Sequence, residues 1–354
     1  MQAAAIGSTV VPHAVQQRLG ESKGGGVIGH LKTILKIGST VDPVNGDQNP
    51  YGLAIAPVTA GSITAGDLLI SNFNNGSPFN IQGLGTTVED LHATPGSKPT
   101  RIAQDSRLTG PSALVTGTTD DFPWVSAFTA NGVPIVGDTA SGGVVDDLTG
   151  NGLEQPWGQT FSGTKGARGV AAFYVSNSTD GSITRINITK KGSFTYDKIA
   201  TGFSVNHGVP GTVLAPAGLT YDARADVLYI VDSNMNRLVA FIHPGNVPVG
   251  GIIVNPYGGF GGVSGSSARV VYAGKPLNAP ISAALLYNGD VVVGNTANNR
   301  LIEITPSGSA VGNKLLDNGA VGALFGIAAS GSSIANQKIY FNDDNTNTVE
   351  VLQQ

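Results

Sequence analysis

Six polar positions each follow directly on an apolar run: Asn72, Asp138, Asn177, Asp232, Asn295 and Asn342. Short Asx side chains bond nearby backbone groups in tight turns and tolerate left-handed conformations. Their oxygens also suit a hard divalent cation such as Ca2+. A second set, Asn49, Tyr51, Arg107, Glu154, Trp157 and His207, lies in the segments that lead into other apolar runs. Polar groups beside two aromatic rings are what a ligand pocket uses. The chain has no cysteine, which excludes disulfides, zinc–thiolate sites and thiol nucleophiles. It carries no HExxH, no GxSxG and no paired-histidine metal spacing. Gly258-Gly259-Phe260-Gly261-Gly262 precedes a strand rather than a helix and reads as a flexible insertion, not a phosphate loop.

The elements that must position these residues are short strands. Val227 to Val231 is an apolar run, Asp232 to Asn236 a polar turn, and Leu238 to Phe241 a second run. Variants of this strand–turn–strand phrase recur around Asn295, Asn342, Asn177, Asn72 and, most weakly, Asp138. Ahead of each copy lies another apolar strand, usually announced by proline. These openings fall at Pro50, Pro111, Pro156, Pro216, Pro280 and Phe325, spaced by 45–64 residues. Periods of roughly 40–50 residues with several short strands each mark propeller blades. The expected fold is therefore all-β, a six-bladed β-propeller over residues 27–354, with residues 1–26 an irregular arm.

Ile230-Val231-Asp232-Ser233-Asn234-Met235-Asn236-Arg237-Leu238 resembles the NHL repeat, whose core is apolar-Asp-x-x-Asn-x-Arg-apolar. The copy from Asn295 to Leu301 fits with Asn in place of Asp, while the other four match in outline and lack the Arg. The resemblance implies a six-bladed propeller and no particular activity. Propellers similar to gluconolactonase, paraoxonase and strictosidine synthase would instead imply an axial divalent cation held by carboxylates and Asn side chains. Asp138, Asp232 and Asn295 are the residues that resemblance would make ligands; Asn49 stands where its first inner-strand Glu is expected.

In a propeller, the connection into each inner strand and the turn between the second and third strands emerge on one face. That face would gather both polar sets around the axis as a binding surface. The plain alternative is that the Asx ring satisfies only its own turn backbones.

Charged residues are 12% of the chain and the net charge is −4. No basic cluster exceeds Lys190-Lys191, which argues against nucleic-acid binding. No apolar run approaches the ~20 residues of a membrane span. Met1 to Gly7 lacks the charged and apolar regions of a signal peptide, and reads as a mature chain with an added Met. Low charge with abundant Asn, Thr and Gly and no Cys leads to the expectation of a periplasmic or secreted monomer. The function expected is binding of a protein, peptide or glycan, with a metal-dependent lactonase or esterase as the alternative. No cofactor is expected for the binding module; Ca2+ belongs to the alternative.

The last blade has only three strands before the chain stops. His30 to Gly38 precedes the first blade, and alternates Leu31, Leu35 and Ile37 against Lys32 and Lys36. It is expected to pair with residues 348–352, supply the missing outer strand and cover an edge that would otherwise invite association.

Overall fold

The computed structural model describes residues 26–116, 123–137, 143–163, 169–189 and 192–354. The expected arm falls almost wholly outside this range. The described chain begins with one helical turn, α1 (Val27–His30), and β1 (Thr33–Ser39). Blade one holds β2 (Gln48–Ile55), β3 (Leu68–Asn74), β4 (Thr87–Leu91) and β5 (Thr100–Gln104). Blade two holds β6 (Pro111–Val115), β7 (Trp124–Ala127), β8 (Gly132–Val136) and β9 (Val144–Thr149). Blade three holds β10 (Pro156–Phe161), β11 (Ala171–Asn177), β12 (Ser182–Ile188) and β13 (Phe194–Thr201). Blade four begins with β14 (Pro216–Asp222), β15 (Val227–Asp232) and β16 (Arg237–Ile242). The chain then leaves blade four to form β17 (Ile252–Val254) and β18 (Phe260–Gly261), which extend the sheet of blade three, and returns as β19 (Ala268–Ala273). Blade five holds β20 (Pro280–Leu285), β21 (Val291–Asn295), β22 (Arg300–Ile304) and β23 (Ala310–Leu315). Blade six holds β24 (Leu324–Ser330), β25 (Lys338–Asp343) and β26 (Thr348–Gln353), with β1 as its outer strand.

The fold is thus a six-bladed β-propeller closed by its own N-terminal strand. β1 and β26 pair antiparallel, Thr33 opposite Gln353 and Ser39 opposite Thr348. The expected facing of β1 is corrected. Ile34 packs into the core and Leu35 is 37% exposed, because the strand starts at Thr33 and its register shifts between Lys36 and Gly38.

The strands read as continuous apolar runs because each blade is buried on both sides. Successive side chains of a strand point to opposite faces. In β3, Leu69 packs against blade two while Leu68 and Ile70 pack against blade six. Six such clusters fill the spaces between neighbouring blades among the described residues. The inner strands approach so closely that a Cβ on Gly158 would overlap the Ala217 carbonyl, and one on Gly326 the Tyr51 carbonyl. Only about 70 Å3 remains along the axis between them.

Two strands escape the hydropathy pattern. β18 lies in the glycine-rich stretch read as a flexible insertion, and β4 lies in the polar stretch from Gly85 to Pro99, with Glu89 fully buried. Burial, and then the neighbouring Asp42 carboxylate, push the Glu89 carboxyl up to about 9. It is therefore neutral near pH 7. Asp42 stays ionised, held well below the usual carboxylate range by Arg101, whose Nε donates to it at 2.6 Å.

This ion pair is one of three anchors on the N-terminal segment. On blade five, the N–H groups of Val27 and Ile28 donate to the Glu303 carboxylate at 2.8 and 2.9 Å. On blade six, β1 joins the sheet. On blade one, Asp42 meets Arg101 of β5. The segment therefore straps three consecutive blades. Among the described residues no helix is long and apolar enough to cross a membrane.

Candidate functional site

The turn ring can now be placed by register. A residue at or near the start of each inner strand lies opposite the end of the second strand: Pro50 opposite Asn72, Pro156 opposite Asn177, Pro216 opposite Asp232 and Pro280 opposite Asn295. In blade two Pro111 faces Ala127, and in blade six Leu324 faces Asp343. The ring position of blade two is thus Ala127. The phrase ending at Val136 is the third strand of that blade, so the weak repeat copy was aligned one strand too late; Asp138 itself lies outside the described residues. In blade six the ring position is Asp343, one residue past Asn342.

The ring side chains serve their own connections. Asn177 accepts from the Glu154 N–H at 3.0 Å and donates to Ser182 and Thr184. Asn295 accepts from the Asn278 N–H at 3.2 Å and donates to the Pro276 carbonyl at 2.9 Å. Asn72 donates to the Thr40 carbonyl at 2.8 Å. Asp232 is fully buried and accepts from Arg237 Nε at 2.7 Å; burial raises its carboxyl in spite of that partner.

Next to the ring, the axis is closed by aromatic rings. Tyr51 and Phe325, which follow directly on Pro50 and Leu324 in their inner strands, stack at 3.7 Å between centroids, and Phe73 stacks on the other face of Tyr51 at 4.1 Å. Trp157 meets Phe73 and Phe128 edge-on. Two loops meet above this stack: Gly83 packs on Pro210, and Gly211 on the Gln82 side chain, whose oxygen accepts from the Tyr51 hydroxyl at 3.2 Å. Burial and the nearby Asp344 carboxylate hold that hydroxyl far above its ordinary pKa. Beside the loops an opening of about 240 Å3 remains, floored by Trp157, Ile281 and Phe325 and walled by Thr212, Thr296 and Val321.

The residues singled out from the sequence take different places around this mouth. Trp157 is only 5% exposed. The sequence sets it beside a ligand pocket; Phe73 and Phe128 fill the space next to it, so it is the floor of the opening and part of the axial core. Asn49 is buried at φ +67°, and its side-chain amide donates to Asp344. Burial and the neighbouring Asp343 push the Asp344 carboxyl up to about 7. Arg107 pairs with Asp105 at 2.6 Å and turns to the Val144 carbonyl on the outermost strand of blade two. Glu154 is exposed in the connection into blade three. His207 is exposed at φ +51° in the 202–214 loop, which Asn206 braces by accepting from the Gly208 and Leu214 N–H groups. Sequence reasoning missed Thr212, Thr296 and Val321; Thr212 and Thr296 are marked only by a place after a glycine or a ring residue, and Val321 by no local signal.

Of the residues considered as axial ligands, Asp138 lies outside the described residues, Asp232 accepts from Arg237 through one carboxylate oxygen, and Asn295 is engaged by two backbone groups. The inner strands present mostly Gly, Ser, Ala, Leu and Ile to the axis, with Gln159 among them. Ligand-type side chains converge elsewhere, at the opposite end of blade one. There Asp67, Asp90 and His92 place their ligand atoms within 4.8 Å of one another. Asp67 Oδ1 lies 2.8 Å from His92 Nδ1, and this contact raises the imidazole pKa.

Neither a family model nor a curated protein sequence matches this chain. Solved structures do. A catalytically inactive virginiamycin B lyase from Staphylococcus aureus with quinupristin superposes with a TM-score of 0.54 at 14% identity, over 91% of this chain and 85% of that one. The nidogen/laminin complex gives 0.56 at 13% identity over 85% and 98%. Regucalcin, a calcium-binding protein from Agrobacterium tumefaciens strain C58, gives 0.54 at 14% identity over 90% and 93%. At such identities the likeness establishes the propeller fold and nothing finer.

Proposed function

We propose that this chain is an NHL-like, extracytoplasmic binding propeller that takes a protein, peptide or glycan ligand through its loop face. The observation that carries this reading is the lining of the opening over Trp157. It consists of backbone, hydroxyl and apolar side chains, with no ionisable group. Such a surface can hold a ligand by shape and hydrogen bonds but has no acid or base to move a proton. Val209 and Val321, each 69% exposed, extend the apolar rim. The nidogen/laminin structure is a precedent for protein capture by a related architecture.

The metal-dependent hydrolase is the second reading, favoured by the Asp344 carboxyl near pH 7 at the mouth and by the Asp67–Asp90–His92 group. One pair of measurements separates them. Peptide and glycan arrays should give binding that Val321→Asp removes without lowering the melting temperature. Ester and lactone substrates should not turn over, with or without added Ca2+. Calcium-dependent turnover, or array binding indifferent to Val321→Asp, would defeat the binding reading. Trp157→Ala is the wrong probe, because truncating a buried ring costs about 3–5 kcal/mol of stability.

A further inference from the structure

A larger opening, about 520 Å3, lies on the same face at the rim between blades four and five. That is the size of a small-molecule site. Its polar lining is Asn236, Lys275, Asn278, Asn298, Arg300 and Asn313. The two best repeat copies meet here, and one of their differences is the residue that faces the arginine. Across the hairpin of blade four Asp232 stands opposite Arg237; across that of blade five Asn295 stands opposite Arg300. Arg237 is 4% exposed, with its Nε on Asp232 and a second nitrogen on the Pro256 carbonyl at 3.2 Å. Arg300 has no carboxylate across from it. It is half-buried and donates to Asn313 Oδ1 at 2.9 Å.

Among the described residues neither Arg300 nor Lys275 forms an ion pair. Two cations without carboxylate partners therefore share one opening in a chain of net charge −4. The rest of the lining is amide. Asn236 holds the Ala279 N–H at 2.7 Å through its oxygen, which leaves its NH2 group to the opening. Asn298 Oδ1 is shielded from solvent and has no hydrogen-bond partner. Amides offer a donor and an acceptor side by side, which matches the hydroxyl groups of a sugar.

We propose that this rim pocket binds an acidic saccharide. Arg300 and Lys275 would take its carboxylate, in charge-assisted hydrogen bonds, and the surrounding Asn side chains its hydroxyls. An inorganic anion would use the cations and leave the amides and most of the volume empty. The site is separate from the opening over Trp157 and does not depend on it.

The test is calorimetric titration of the full chain with digalacturonate. Binding is expected, absent for the neutral disaccharide maltose, and weakened at least about tenfold by Arg300→Gln and by Lys275→Gln. Asn295→Asp, which gives Arg300 the partner that Arg237 has, should weaken it too, with melting curves confirming the fold of each variant. Val321→Asp should leave it unchanged, so that failure here and failure of the axial reading remain distinct. Absence of digalacturonate binding, equal binding by Arg300→Gln, equal affinity for sulfate alone, or preference for a tetraglutamate peptide would each overturn the proposal.

Discussion

Blades four and five are built on the same hairpin and use the same arginine to different ends. In blade four the guanidinium is buried and matched by one carboxylate. In blade five the acid is an amide, and the guanidinium is turned to a pocket that also holds Lys275. The residue facing the arginine is an acid beside the structural cation and an amide beside the one turned to a pocket. Blade one shows the opposite excess. There Arg101 faces two acids; Asp42 remains ionised and Glu89 keeps its proton. In blade five the extra positive charge faces a pocket, and in blade one the extra negative charge is neutralised in place.

The contrast can be broken by removing one partner at a time. Asp232→Ala leaves the buried Arg237 alone and should cost roughly 3–5 kcal/mol in chemical denaturation. Changing both, Asp232→Leu with Arg237→Met, should recover most of that loss, since a buried pair is worth little more than apolar residues of similar volume. A loss under about 1 kcal/mol for the single change would mean that the blade-four pair is not structural.

A smaller effect is expected in blade one. Glu89 has a folded pKa of about 9 against an ordinary value of 4.5. Between those values the folded state holds a proton that the unfolded state has released, so stability falls as pH rises. Glu89→Gln should remove this slope. The gain should grow from pH 5 to pH 8 by up to about 1.4 kcal/mol per pH unit and shrink as pH falls toward 4.5. A pH-independent difference would contradict a protonated Glu89.

The smallest change is expected at Arg300. Its charge is solvated rather than matched, so Arg300→Gln should alter stability by no more than about 0.5 kcal/mol. A large loss would make Arg300 as structural as Arg237 and remove the contrast.

Much of the architecture was legible because propellers repeat. Proline at five of the six inner strands and an Asx at five of the six ring positions marked the blades, and the missing last strand pointed to His30–Gly38. Two places resisted. β4 carries Glu89 and Asp90 where an apolar run would be expected, and only tertiary partners make those residues interior. Blade two has Ala127 at its ring position, so the next Asp in sequence was aligned instead. The mouth was less legible than the blades. Tyr51 and Trp157 were found, but whether a ring is wall or platform depends on Phe73 and Phe128 from other strands. The cue to the rim pocket was already present in the sequence, as the Asn295 that replaces the motif Asp.

The pairing of Thr33 with Gln353 sets an order of events during synthesis. β1 is made long before its partner β26. Until β26 emerges, blades one to five can form and stack, while the Glu303 anchor of α1 also arrives late. The growing chain is then an open arc with its strap trailing, and it becomes a circle only when β26 is there to pair. Loop closure over so long a separation is slow. The exposed strand edges of the arc are what a chaperone would meet.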